Sequence, residues 1–328
     1  LNAGREYQKK YVQAAGQIKM WHRKTLEDLS YFKVRDTVAS FCSSQEACEL
    51  LKTKLPFTDS QKIDELKTLS REWEKLLTDN SSIKLNGWDN VHPFLKILRT
   101  QGSTLEQNQF YALLTFTDST LKIITTINTA SKKITIKNLL SLTQKLPQTQ
   151  LSTVNAEISK IIDKDGNIKD IPALREIKEK IAHLHTEISS ALKKYTADSS
   201  LSTVLASNVP AFRADRQVLA VKANMKKRIS GIVHEVSSSG QTIYIEPDEV
   251  VRKNNELIQE EFHLQSETRK IFTELTSKIS PFEEFLTLSL KLMIKLDQTY
   301  AACRWGLNNK CTWALNDTES DGKTFPPA

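Results

Sequence analysis

The chain has 328 residues, 39% of them apolar and 26% charged, with a formal net charge of +7. That length and apolar share support a substantial core and exclude a disordered chain. The 9 Gly and 9 Pro argue against a loop-rich β protein, and the absence of a signal peptide or an 18-residue apolar run argues for a cytoplasmic protein with no membrane partner.

Residues 1–19 are polar and weakly patterned, and Met20 reads as the natural start, so 1–23 is taken as a leader or tag. From 26 to 144 the pattern is helical, punctuated at Pro56, Asn86-Gly87 and Gln101-Gly102. Val34, Val38, Phe41 and Cys42 fall at helical spacing, as do Ile63, Leu66, Leu69 and Trp73. These stripes predict the core of a helical bundle over 24–150, with Trp73 and Trp88 inside it. The stretch 121–140 is rich in Ile and Thr, which weakens its helical signal.

Four cysteines, Cys42, Cys48, Cys303 and Cys311, form no C-x-x-C pair and have no His at zinc-finger spacing. They read as reduced thiols, with no metal site. The segment 163–167, Asp-Lys-Asp-Gly-Asn, reads as a turn, because its glycine comes too early for a calcium loop.

Leu174, Ile177, Ile181, Leu184, Ile188, Ala191 and Tyr195 alternate spacings of three and four, a heptad seam that needs a partner. Val250, Val251, Asn254, Leu257, Ile258, Leu264, Ile271, Leu275 and Ile279 form a second, rougher stripe. Pro247 suits a first helical turn, and Asp248 and Glu249 complement the helix dipole. Closure folds the second helix antiparallel along the first, making a stalk of roughly 45 Å from about 30 residues. The outgoing region is 151–204, the returning one 248–290, and 291–310 leads back to the core.

Between the two lies 205–247, where 217–222, 232–236 and 241–246 each alternate at period two. Three strands, with a fourth near Val209, predict a small twisted sheet at the end of the stalk. Between 210 and 230, Arg213, Arg216, Lys222, Lys226, Lys227 and Arg228 face a single acid, Asp215. Such a cluster suits phosphate-backbone contact. It also suits a solvated face with lysine-protected edges. The hydroxyls and N–H groups of Ser237, Ser238 and Ser239 suit phosphate oxygens, or simply a hairpin turn with Gly240 at positive φ.

His234 and Glu235 are strand neighbours on opposite faces, not a catalytic pair. Gly322-Lys323-Thr324 matches the end of a phosphate loop, but Asp317 stands where its first glycine belongs. No other catalytic motif occurs, and the sequence offers no catalytic residue.

The run 231–247, Gly-Ile-Val-His-Glu-Val-Ser-Ser-Ser-Gly-Gln-Thr-Ile-Tyr-Ile-Glu-Pro, is followed by Val250-Val251 and Asn254-Asn255-Glu256-Leu257. It closely resembles the clamp-to-lever passage of the MutS-two family, bacterial MutS paralogues that lack the mismatch-recognition domain and often carry an Smr nuclease tail. The resemblance extends through 216–222 and 162–170, and more diffusely through 26–64, covering 26–307. It departs at Glu235-Val236, where an acid followed by Gln is expected, and over 121–151.

The resemblance implies a mainly α fold: a helical core with a long antiparallel two-helix lever carrying a small inserted β-sheet clamp. It implies that 311–328 begins a truncated ATPase domain. This chain would then hold no cofactor itself, ATP and magnesium belonging to the missing domain. The complete protein would be an ATPase with an optional endonuclease activity. Partners implied are duplex or branched DNA, the ribosome or its rRNA, and a second copy in a homodimer. The associated roles are suppression of recombination and rescue of collided ribosomes. Two other readings fit the same residues: the lever and clamp of an ordinary mismatch-repair MutS, and a structural coiled-coil spacer with a protein-binding β tip.

Overall fold

The computed structural model describes residues 22–213 and 215–314. The leader over 1–21 and the stretch from 315 onward, read as the start of a further domain, lie outside the described residues. Among the described residues the chain is mainly helical, with one four-stranded antiparallel sheet. It divides into two compact units, one formed by the chain up to 167 together with that from 275, the other by 168–274.

The first unit contains α1 (Arg23–Asp28), α2 (Tyr31–Ala39), α3 (Gln45–Lys52), α4 (Ser60–Asp79), α5 (His92–Leu98), α6 (Gln107–Ala130), α7 (Lys137–Gln144), α8 (Gln148–Ile161) and, from the C-terminal part of the chain, α11 (Glu283–Asn308). α11 packs on α4, α2, α3 and α5, while α6 packs on α8 and α7. Trp73 and Trp88 are buried as expected; Trp73 meets Tyr300 edge-on at 5.0 Å and donates to Thr299 Oγ1 at 3.2 Å.

The two predicted stripes shift in register. Val34 is 44% exposed, and α2 ends at Ala39, leaving Phe41 and Cys42 off the helix. On α4 the buried stripe is Leu69, Trp73 and Leu76, and Ile63 faces out. The Ile/Thr-rich stretch is helical to Ala130. Thr117, Thr120, Thr125 and Thr126 each donate a hydroxyl to the carbonyl one turn back, while Ile123, Ile124 and Ile127 fill the core. The hydroxyls that compete with helix elsewhere are thereby absorbed by it.

Three buried acids anchor helix starts belonging to other parts of the chain. Asp297 of α11 accepts from Ser43 N at 2.8 Å, Ser44 N at 2.9 Å and Ser44 Oγ at 2.8 Å, at the start of α3. Glu46 accepts from His92 N at 3.0 Å at the start of α5, and Glu72 from Leu139 N at 2.7 Å at the start of α7. The free N–H groups and positive dipole end of a helix are the partners a buried carboxylate needs.

α8 also belongs to this unit, burying Leu151, Val154 and Ile158, so the outgoing helix begins later than 151. The segment after α8 is the expected turn: Asp163 Oδ1 accepts from the N–H groups of Asp165 and Asn167, and Gly166 sits at φ 85°.

In the second unit, α9 (Pro172–Ala197) opens on a proline at its first turn, where no N–H is missed. Its partner α10 (Asp248–Ile279) opens on Asp248 and Glu249. Lys180 bridges to Glu256 and Glu260, each at 2.9 Å, Glu187 to Lys253 at 3.0 Å, and Lys194 to Glu249 at 3.4 Å. Positions rise on α9 as they fall on α10, so the helices run antiparallel. Leu184, Ile188, Ala191 and Leu192 share one apolar cluster with Val250 and Leu257, and Ile181 and Tyr195 pack against it.

The same cluster takes one face of the sheet: β1 (Ala211–Arg213), β2 (Arg216–Lys222), β3 (Gly231–Val236) and β4 (Thr242–Pro247), in the order β1-β2-β4-β3. All three predicted strands are present, and the fourth forms just after Val209. Gly231 pairs with Pro247, and a Cβ there would stand 2.1 Å from the Glu246 carbonyl oxygen, so only glycine fits. β2 and β3 both pair antiparallel with β4 and thus run parallel to each other. The 3-10 turn Ala223–Arg228 carries the chain across between them.

Candidate nucleic-acid interface

Strand alternation sorts the cationic candidates before any ligand is considered. Leu219, Val221, Ile243 and Ile245 point into the apolar cluster, and the crossover turn joins them there through Ala223 and Met225. Residues of the other parity, Arg213, Arg216, Val218, Ala220 and Lys222 with Thr242, Tyr244 and Glu246 opposite, occupy the opposite, outer face, on which Val218, Ala220 and Glu246 are themselves buried. The six cations are therefore split: three on the outer face, three on the crossover.

All three outer-face cations are engaged by the protein itself. Arg216 Nη1 lies 2.8 Å from Glu246 Oε1, and its Nη2 donates to Asn255 Oδ1 at 2.5 Å. Glu246 is wholly buried and also meets His234 Nε2 at 2.7 Å and Asn254 Nδ2 at 2.7 Å. Burial opposes its charge, but the donors of His234, Asn254 and Arg216 outweigh it and hold the carboxyl below the ordinary glutamate range. Asn254 donates onward to the Gln217 carbonyl at 3.2 Å, and Gln217 Nε2 lies 3.3 Å from His185 Nδ1. One carboxylate thus ties β2, β3 and β4 to both helices.

Arg213 is held differently. Its Nε lies 2.7 Å from Glu235, its Nη1 donates to the Phe212 carbonyl at 2.7 Å, and its guanidinium carbon sits 3.9 Å above the Tyr244 ring. Lys222 is exposed and tethers its Nζ to the Thr203 carbonyl at 2.8 Å.

Lys226, Lys227 and Arg228 are exposed on the crossover, and among the described residues their side chains have no ion pair or hydrogen bond. In the hairpin loop, Ser237 is used by the turn: its Oγ accepts from Thr242 N at 3.0 Å, and Gly240 stands at φ 70°. Ser238 and Ser239 remain exposed at the loop tip.

Sequence reasoning missed the hub. Glu246, Asn254 and Tyr244 looked like strand and helix residues of no special role. The available signal was an acid at a strand end immediately before a helix start, opposite a strand that begins with arginine. Among the described residues no three His, Cys, Asp or Glu side chains group as metal ligands. None of their helices is long and apolar enough to cross a membrane. The four thiols are free, and burial pushes that of Cys303 up to about 12.

No family model matches the chain. Curated relatives do. The chain is 27% identical over 295 residues to endonuclease MutS2 of Levilactobacillus brevis, covering 89% of this chain and 37% of that protein. It is 28% identical over 312 residues to endonuclease MutS2 of Lactococcus lactis subsp. lactis, covering 93% and 38%. It is 27% identical over 305 residues to endonuclease MutS2 of Ligilactobacillus salivarius, covering 92% and 38%. The likeness first read from the hairpin thus runs through nearly the whole chain, while the chain spans less than two-fifths of the length of these relatives.

Proposed function

Taking the chain as a relative of the MutS2 endonucleases, we propose that it is the core, lever and clamp portion of such a protein, gripping nucleic-acid backbone through the cationic crossover of its sheet. The observation that carries this reading is the state of Lys226, Lys227 and Arg228. Three cations are exposed and have no partner among the described residues, while Arg213 and Arg216 are occupied by acids. Free cations release condensed counterions when they meet phosphates; paired ones largely do not. Ser238, Ser239 and Lys222 lie at the margin of this surface as secondary contacts. The paired helices act as the lever that places the sheet, and the buried Glu246 fixes its orientation on them.

The complete protein is proposed to act as a homodimer on duplex or branched DNA, or on the ribosome, with ATP and magnesium bound by a part absent from this chain. A salt titration of binding to duplex DNA, branched DNA and structured RNA tests the grip. Replacing Lys226, Lys227 and Arg228 together by Ala lowers the log-log salt slope by about 2–3 units. An unchanged slope removes them from the contact set, and no binding to any of the three at low salt favours the spacer reading.

A further inference from the structure

Resting on the nucleic-acid reading, we infer that the outer face of the sheet is a stacking platform for an unpaired nucleobase, built from Arg213 on Tyr244. The guanidinium carbon lies 3.9 Å from the ring centroid, with Glu235 as ion-pair partner at 2.7 Å from Nε and the Phe212 carbonyl accepting from Nη1 at 2.7 Å. A planar cation held over an aromatic ring is itself a stacking surface, and a third of the Arg213 side chain is exposed (34%). Ile232 shares the outer face by register, opposite Glu246, and is 48% exposed, giving the platform an apolar margin.

Bases out of a duplex stack on aromatic rings and on arginine planes. The face already carries a neutralising acid in Glu235, so its chemistry suits a flat, uncharged base rather than a phosphate. The unpaired cations of the crossover on the same small sheet supply attraction for the strand's phosphates. The occupant is therefore a nucleotide with an exposed base face, as in a single strand or at the branch of a junction.

The test uses the full chain and short single strands, in DNA and RNA forms, carrying one 2-aminopurine. Wild type quenches the probe when it is unpaired and leaves it unchanged in a continuous duplex. Arg213→Lys keeps the charge but removes the plane, and Tyr244→Leu removes the support. Each weakens binding of the unpaired strand about tenfold and abolishes the quenching, with the salt slope unchanged. Comparing the DNA and RNA strands identifies which nucleic acid supplies the base. Quenching and affinity equal to wild type in Arg213→Lys overturn the platform. A salt slope that falls by about one unit in Arg213→Gln, which removes the charge, overturns it too, because it assigns Arg213 to phosphate. The alanine triple variant reads the backbone grip separately, so the two ideas fail independently.

Discussion

Arg216 and Glu246, 30 residues apart in the chain, meet at 2.8 Å with the carboxylate wholly buried, joining β2 to β4, and each also bonds an asparagine of α10, Asn255 and Asn254. His234 and Asn254 complete the shell of donors around the same carboxylate.

Removing the carboxylate leaves Arg216, His234 and Asn254 without their common acceptor. Glu246→Ala lowers stability by roughly 3–5 kcal/mol, measured by urea unfolding. The pH dependence follows from the depressed carboxyl. Its contribution is present above the ordinary glutamate pKa and is lost as pH falls through the lower folded value. The stability gap between wild type and Glu246→Gln therefore starts to close as pH falls to the ordinary glutamate value, about 4.3, and goes on closing below it through the folded value. A gap that widens on acidification contradicts the charged state of this site.

Asp297 has the opposite sign. Burial pushes its carboxyl above the usual range, although the donors of Ser43 and Ser44 pull it back. A raised folded pKa contributes stability that is full below the unfolded value and lost as pH rises through the folded one. Relative to Asp297→Asn, wild type is best placed below about pH 4 and loses ground as pH rises from there through the folded value. The same denaturation series on both variants reads the two signs side by side.

Gly231 and Gly240 separate steric from conformational demand. Gly231→Ala drives a methyl into the Glu246 carbonyl, where backbone must give way, at a cost of about 3 kcal/mol or more. Gly240 has open space around it and only a positive φ of 70° to defend. Gly240→Ala costs about 1–2 kcal/mol. Equal costs in thermal or chemical unfolding remove the close approach at Gly231 as a constraint.

The helix seam is tested at its driest position. Ile188 is fully buried in the cluster shared by both helices and the sheet. Ile188→Asp places an unpaired charge there, at several kcal/mol, so helicity by circular dichroism falls and the melting temperature drops. Ile181→Asp acts in the same direction but more weakly, because Ile181 is only partly buried. A melting temperature unchanged in Ile188→Asp contradicts the pairing.

Periodicity by itself determined the three main strands, the seam from Leu174 to Tyr195 and the hairpin turn at Gly240. Each depends on backbone geometry repeating over a few neighbouring residues. It also exposed the surplus of cations between 210 and 230. Only tertiary structure decided which of those cations are available. Arg213 and Arg216 find their acids across strands, at Glu235 and Glu246, and such register is set by chain segments that local pattern does not relate. For the same reason nothing in the local pattern marks Asp297, which accepts from Ser43 N 254 residues away. A charge is cheap in water and costly in a core, so its meaning is settled by the partners that folding brings to it.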